Sequence, residues 1–260
     1  MVFKNSNTEF SELAMIVPCY NEELRLIPDY WSYVISKSQR IIWYFVDDGS
    51  NDNTLSLLNS LDKRCRVLKL DENMGKGEAI RFGLNKALAT NPILGALGYV
   101  DSDMAFSRDE ILEFCFKSLA ILDSNDDIDA VIASRVKLAG TQIARSANRH
   151  FLARFIATIF GIFWRDIPYD TQCGLKVFRI SPAIEDSIKL AFQTRWLFDI
   201  ELFARISNFK DKSISLIELP IKFWREIGNS KISGMEYLRI ATELVSILVI
   251  VQRCFKPAKK

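Results

Sequence analysis

Three uninterrupted apolar stretches each run directly into a polar, turn-rich cluster. Leu13–Val17 enters Pro18-Cys19-Tyr20-Asn21-Glu22, Ile41–Val46 enters Asp47-Asp48-Gly49-Ser50, and Leu94–Val100 enters Asp101-Ser102-Asp103. Runs without polar alternation predict buried parallel strands covered on both faces. Helix-like periodicity follows over Glu23–Ser36, Asn53–Leu61 and Arg108–Leu122. A further strand over Arg66–Leu70 precedes a helix over Gly77–Leu88, and Ile128–Ser134 predicts another strand. Repeated strand–loop–helix units predict an α/β fold, a doubly wound and mostly parallel sheet with helices on both faces. Such sheets bind ligands beyond the carboxyl ends of their strands. All three polar clusters fall at those ends.

After Ser134 the texture changes. Residues 145–165 predict an apolar helix in which Phe151, Phe155, Ile159 and Phe163 recur at helical spacing, with Arg145, Arg149 and Arg154 as its charge. A second such helix, Gly234–Cys254, ends in Lys256, Lys259 and Lys260. These stripes read as core or as a membrane-surface face. With no repeat and no Gly/Ser linker, the expectation is one α/β domain with amphipathic, membrane-facing helices in its C-terminal half.

Composition narrows the classes. Lys+Arg 34 against Asp+Glu 32 gives a formal net charge of +2, which excludes a strongly basic nucleic-acid wrapper; no nucleic-acid partner is expected. Phe 18, Tyr 7 and Trp 5 demand burial and argue against disorder. Five cysteines without C-x-x-C spacing argue against a disulfide framework or a zinc site, and for a reducing compartment. The polar N-terminal residues carry no signal-peptide pattern. Leu244–Val251 is far shorter than the ~20 residues of a membrane span. The expectation is a cytoplasmic chain, peripheral to the cytoplasmic face of a membrane.

The clusters suggest chemistry. Asp101 and Asp103, two residues apart in one loop, can share a hard divalent cation such as Mg²⁺ or Mn²⁺ with diphosphate oxygens, or can simply form a polar loop. The capping-box spacing Ser107 to Glu110 accounts for the next helix but not for these two carboxylates. Asp48 can accept a hydrogen bond from a nucleobase, form a turn, or do both. Asn73-Met74-Gly75-Lys76-Gly77 opens a helix and suits either a phosphate or a capping loop. It is neither a Walker A nor a dinucleotide glycine motif. His150 is the single histidine, and no Ser–His–acid triad can be inferred.

Taken together, these segments resemble the GT-A glycosyltransferases of family 2, and most closely the dolichyl-phosphate β-glucosyltransferases and bacterial polyprenyl-phosphate relatives. Further matching pieces are Ser134-Arg135, Arg145 to Arg149, Asp170-Thr-Gln-Cys-Gly-Leu-Lys176, Arg195-Trp-Leu-Phe-Asp199 and Trp224 to Lys231. The resemblance implies a single domain over 1–260, with nucleotide-sugar binding in 13–134 and acceptor and membrane contact in 135–260. It implies that Pro18, Tyr20, Glu22 and Asp48 hold the nucleoside and Lys76 the diphosphate. Metal would sit on Asp101 and Asp103, and acceptor phosphate on Arg135, Arg145, Arg149 and Lys231. Gln172, with Asp170, Arg195 and Trp196, would line the sugar; Asp101, Asp103, Asp170, Arg195 and Trp196 form the implied catalytic set. The eukaryotic enzymes of this kind carry an N-terminal membrane anchor, which is not seen here, so attachment would rest on the two apolar helices.

The implied reaction moves a hexose, with glucose the first choice, from a UDP-sugar to a polyprenyl phosphate with inversion. A phosphate monoester is already substantially ionised near pH 7 (second pKa about 6) and needs no strong base. A sugar-hydroxyl acceptor would need one, and Asp170 or Asp199 would supply it. The alternatives are a family-2 transferase elongating a saccharide and a non-catalytic nucleotide-sugar-binding membrane scaffold. Oligomeric state is not readable from the sequence.

Overall fold

The computed structural model describes residues 12–144, 158, 160, 168–210, 213–227, 242–247 and 249. Arg145, Arg149, His150, Lys231 and most of both apolar helices lie outside the described residues.

Seven strands form the main sheet in the order β3-β2-β1-β4-β7-β5-β8. β1 (Glu12–Cys19), β2 (Ile41–Asp47), β3 (Arg66–Lys69) and β4 (Leu94–Val100) run parallel, so their carboxyl ends share one edge. β5 (Ala130–Ser134) and β8 (Leu216–Pro220) pair parallel with each other. β7 (Leu175–Arg179) lies antiparallel between β4 and β5, so residues on either side of Ser134 share one sheet. A small parallel pair, β6 (Gln142–Ala144) with β9 (Phe223–Arg225), stands apart.

The unbroken apolar runs have a simple cause. Along β1 and β2, Met15, Val17, Trp43 and Phe45 enter one core cluster, while Ala14, Ile16, Tyr44 and Val46 enter the cluster on the opposite face. Both faces are covered, so the residues along these runs are apolar on both sides. On the first face α1 (Pro28–Ser36) inserts Trp31 edge-on against Trp43 and Phe45, at ring centroids 5.8 and 5.2 Å. On the other, α3 (Lys76–Thr90) packs on β1 and β2 through Ala79, Ile80 and Leu84.

Three differences from the expected elements have physical reasons. α1 begins at Pro28, not Glu23, because the residue before a proline is pushed out of helical geometry and Pro28 suits the first helical position. Residues 22–26 instead form a turn, with Arg25 and Leu26 N–H donating to the Glu22 carbonyl. The capping box at α4 (Arg108–Ser124) is half formed: Ser107 accepts the Glu110 N–H, while the Glu110 carboxylate turns to the N–H groups of Lys222 and Phe223. Antiparallel β7 was not expected, because Lys176 interrupts its apolar pattern, yet this lysine is fully buried. α2 (Thr54–Asn59), α5 (Pro182–Ser187) and α6 (Phe198–Lys210) complete the described helices named here.

Candidate active site

The three strand-end clusters converge on one cavity of about 400 Å³. Pro18, Tyr20, Glu22, Asp48, Lys76, Asp101 and Asp103, all singled out by sequence, line it. Cys19, Arg25, Asn73, Gly75 and Ser102 line it as well and were not singled out as site residues. The loops after β1 and β2 are stitched together: Asn21 N–H donates to Ser50 Oγ at 3.0 Å, Glu22 N–H to Thr54 Oγ1 at 2.7 Å, and Asp48 N–H to the Cys19 carbonyl at 2.8 Å.

Asp48 is buried and accepts from Met74 N–H and Gly75 N–H, both at 2.8 Å, and from Asn73 Nδ2 at 2.9 Å. It therefore orders the Asn73–Lys76 loop. Burial raises its pKa, and the Met74 and Gly75 N–H groups work against that rise. Gly75 adopts φ +93°, and a Cβ there would lie 2.7 Å from Arg195 Nε. The left-handed backbone favours glycine here. α3 starts immediately after, which puts Lys76 in the cavity wall at the helix N-terminus.

Lys76 Nζ lies 2.5 Å from Asp101 Oδ1. Burial opposes its charge, but the Asp101 and Asp199 carboxylates outweigh it and raise the Lys76 pKa. Asp103 is pushed up to about 6, first by burial and then by the charge of Asp101. Glu22 is raised by burial, with its Oε1 taken by Arg25 and Ser102 and its buried Oε2 lacking a hydrogen-bond partner. This is an oxygen-only, mutually repelling donor set, which a hard divalent cation would relieve. Among the described residues no three His, Cys, Asp or Glu side chains converge tightly enough to hold an ion by themselves. A cation here would complete its shell with ligand or water oxygens.

A family model described as "Glycosyl transferase family 2" matches residues 14–174. The chain belongs to that family. It is 34% identical over 258 residues to the dolichyl-phosphate beta-glucosyltransferase of Drosophila melanogaster, covering 92% of this chain and 74% of that protein. It is 29% identical to the Saccharomyces cerevisiae protein of the same name, over 90% and 73%, and 32% identical to the human one, over 91% and 74%. The fold is shared with glucosyl-3-phosphoglycerate synthase of Mycobacterium tuberculosis. Its complex with UDP superposes at TM-score 0.62 and 17% identity, covering 91% of this chain and 80% of that one. A second complex, with Mn²⁺, UDP-glucose and phosphoglyceric acid, gives 0.60 and 15%, over 91% and 80%. The GT-A fold expected from the motifs is thus present, and the chain is a glycosyltransferase.

Of the other implied site residues of this glycosyltransferase, Arg135, Asp170, Gln172, Arg195 and Trp196 are not among those lining the cavity, and Arg145, Arg149 and Lys231 lie outside the described residues. Asp170, implied to touch sugar, and Arg135, implied to touch phosphate, form one ion pair. Arg135 Nε meets Asp170 Oδ2 at 2.6 Å and Nη2 meets Oδ1 at 2.7 Å, with both side chains nearly buried. Trp224 covers the guanidinium at 5.0 Å. Asp170 also fixes the Arg135 N–H at 3.1 Å. Gln172 stands half-buried with Nε2 unpaired, in the turn leading to Gly174. Gly174 brings β7 against the carboxylate pair: its carbonyl accepts the Asp101 N–H at 2.9 Å, and a Cβ on it would lie 2.1 Å from Asp101 Oδ2. Trp196 is half-exposed, and Arg195 Nη2 donates to Asn73 Oδ1 at 3.0 Å beside the Lys76 loop.

Lys176 and Asp199 both fall in the matching segments, but their pairing in a buried cluster was not legible in the sequence. Lys176 Nζ donates to Asp199 Oδ1 at 2.8 Å and to the Cys173 carbonyl at 2.5 Å, and Tyr99 OH also donates to Asp199. Nothing in the local pattern signals a charge pair 23 residues apart in the core. Arg25 had a faint signal in its i, i+3 spacing from Glu22.

Proposed function

We propose that this chain transfers a hexose, with glucose the first choice, from a UDP-sugar to a polyprenyl phosphate with inversion at the anomeric carbon. The observation that carries the choice of acceptor is the state of the two carboxylates offered as bases. Asp170 is locked bidentate on Arg135, and Asp199 is held by Lys176 and Tyr99. Neither is poised to take a proton from a sugar hydroxyl. A phosphate oxygen needs none, since it arrives ionised near neutral pH. The names of the curated relatives, dolichyl-phosphate beta-glucosyltransferases, support the same acceptor and sugar.

In this reading the nucleoside lies against Pro18, Tyr20 and Glu22, with Asp48 near the base. Lys76 and the first N–H groups of α3 face the diphosphate. An acceptor phosphate oxygen attacks the anomeric carbon, the bond to the diphosphate oxygen breaks, and UDP leaves with the electron pair. Mg²⁺ or Mn²⁺ on Asp101 and Asp103 would supply charge neutralisation of that leaving group. Lys76 adds positive charge at the same place, and the cavity walls align the two reactants. Arg145, Arg149 and Lys231 would grip the acceptor phosphate, and Gln172 and Trp196 would flank the sugar.

Attachment to the cytoplasmic face of a membrane is part of the proposal. Among the described residues no helix is long and apolar enough to cross a bilayer. Val245 and Val249 are exposed on the C-terminal helical segment, and Lys256, Lys259 and Lys260 follow it in sequence. That combination suits an interfacial helix. Phe160, in contrast, is fully buried, so at least one aromatic residue of the 145–165 segment serves the core.

The test supplies the purified chain with a panel of UDP-sugars, a short polyprenyl phosphate and Mn²⁺, with a chelator arm, and detects glycolipid by mass spectrometry. UDP-glucose should give the glucosylated lipid phosphate, and chelator should abolish it. Transfer only to free saccharides would hand the function to the saccharide-elongating alternative, and no turnover with any donor would leave the scaffold.

A further inference from the structure

The segment Phe192–Leu197 carries Arg195 and Trp196, and its backbone is held in an unusual way. Six consecutive N–H groups donate to three carboxylates from three different helical segments. Phe192 donates to Glu78 Oε1 of α3 at 2.6 Å. Gln193 and Thr194 donate to Glu201 of α6 at 3.0 and 2.9 Å. Arg195, Trp196 and Leu197 donate to Glu243 at 3.1, 2.9 and 3.0 Å. These donors lie outside any strand ladder, and backbone N–H groups withdrawn from water must find acceptors. Carboxylates accept charge-assisted hydrogen bonds, the stronger kind.

Glu243 differs from the other two. Glu78 and Glu201 belong to helices packed on the sheet and are paired with Arg81 and Arg205. Glu243 belongs to the C-terminal helical segment, 46 to 48 residues beyond its partners. It takes main-chain N–H groups, which leaves the Arg195 guanidinium aimed at Asn73, over Gly75 and one residue from Lys76.

We propose that Glu243 is a positioning residue: by fixing the Arg195–Leu197 backbone it holds the Arg195 guanidinium over the Asn73–Lys76 loop, and so makes the C-terminal segment part of the donor site. The inference rests on the proposed reading of that loop as a diphosphate site. It predicts that a residue outside every recognisable motif controls handling of the donor.

The experiment uses the full chain with Glu243→Gln, Glu243→Asp, Arg195→Ala and the double variant Arg195→Ala/Glu243→Gln. UDP affinity by calorimetry with Mn²⁺, kcat, KM and the melting temperature are measured for each. Gln keeps the volume but turns an N–H₂ toward donors. It should weaken UDP binding or lower kcat by about tenfold, close to the effect of Arg195→Ala, because interacting residues couple. Glu243→Asp should recover part of the loss. In the Arg195→Ala background, Glu243→Gln should add less than about twofold, since its effect passes through the arginine. Equal effects in both backgrounds, or a loss of melting temperature with UDP affinity and kcat intact, would make Glu243 merely structural and overturn the proposal. Failure of both Glu243 single variants to fold would do the same. Absence of UDP binding by the unaltered chain would instead remove the diphosphate reading, and this inference with it.

Discussion

Burial and the charge of Asp101 push the Asp103 carboxyl up to about 6, against an ordinary 3.8. Between those values the folded chain holds a proton that the unfolded chain has released, so this group favours folding at low pH and loses that contribution as pH rises through 6. Ionised Asp103 is thus a strain on the metal-free fold at neutral pH. Asp103→Asn should raise the melting temperature at pH 7.5 without metal, flatten the decline between pH 4 and 6, and abolish transfer. Melting curves across pH with and without Mn²⁺ check this; a variant less stable than its parent at pH 7.5 would contradict it. Gly174 offers a second test at this scale. A Cβ would drive into Asp101, so Gly174→Ala should cut kcat at least tenfold, a loss of roughly 1.4 kcal/mol or more of transition-state stabilisation. Unchanged kinetics would mean that the Asp101 placement is not needed. Asp101, Asp103 and Lys76 were legible because each follows an apolar run or opens a helix. The Arg135–Asp170 pair was not, because ion pairing across 35 residues leaves no periodic trace.

At the scale of elements, the apolar strands declared themselves because both faces of β1, β2 and β4 are covered. β7 did not, because Lys176 interrupts it, and a buried lysine looks like surface in a sequence. The pair Lys176–Asp199 ties β7 to α6 directly under the carboxylates of the site. Removing one member leaves a buried charge without its partner. Lys176→Met should therefore cost about 3–5 kcal/mol, the range for breaking a buried ion pair. Lys176→Met/Asp199→Asn should regain part of it. Denaturant unfolding measures both; a single variant within 1 kcal/mol of its parent (about the median of a mere surface pair) would show that the cluster does not hold β7 to α6. The start of α1 was misplaced for a local reason, since Pro28 sets the boundary more strongly than the charged residues before it.

Across the whole molecule, parallel order β3-β2-β1-β4 gathers the loops after β1, β2 and β4 at one edge, and antiparallel β7 brings the Gly174 turn to the same place. Residues as far apart in sequence as Pro18 and Asp103 thereby share one cavity wall. Sequence reasoning reached the three loops because each declares its strand, but it could not order β7 between β4 and β5, where long-range pairing decides. In the proposed reaction the acceptor arrives already ionised, so that the engaged Asp170 and Asp199 are no handicap. The most direct measurement gives the full chain UDP-glucose and Mn²⁺ with either a polyprenyl phosphate or the polyprenol of the same length, and follows UDP release and glycolipid formation. The phosphate should be glucosylated and the alcohol should not; transfer to the alcohol at a comparable rate would contradict the account.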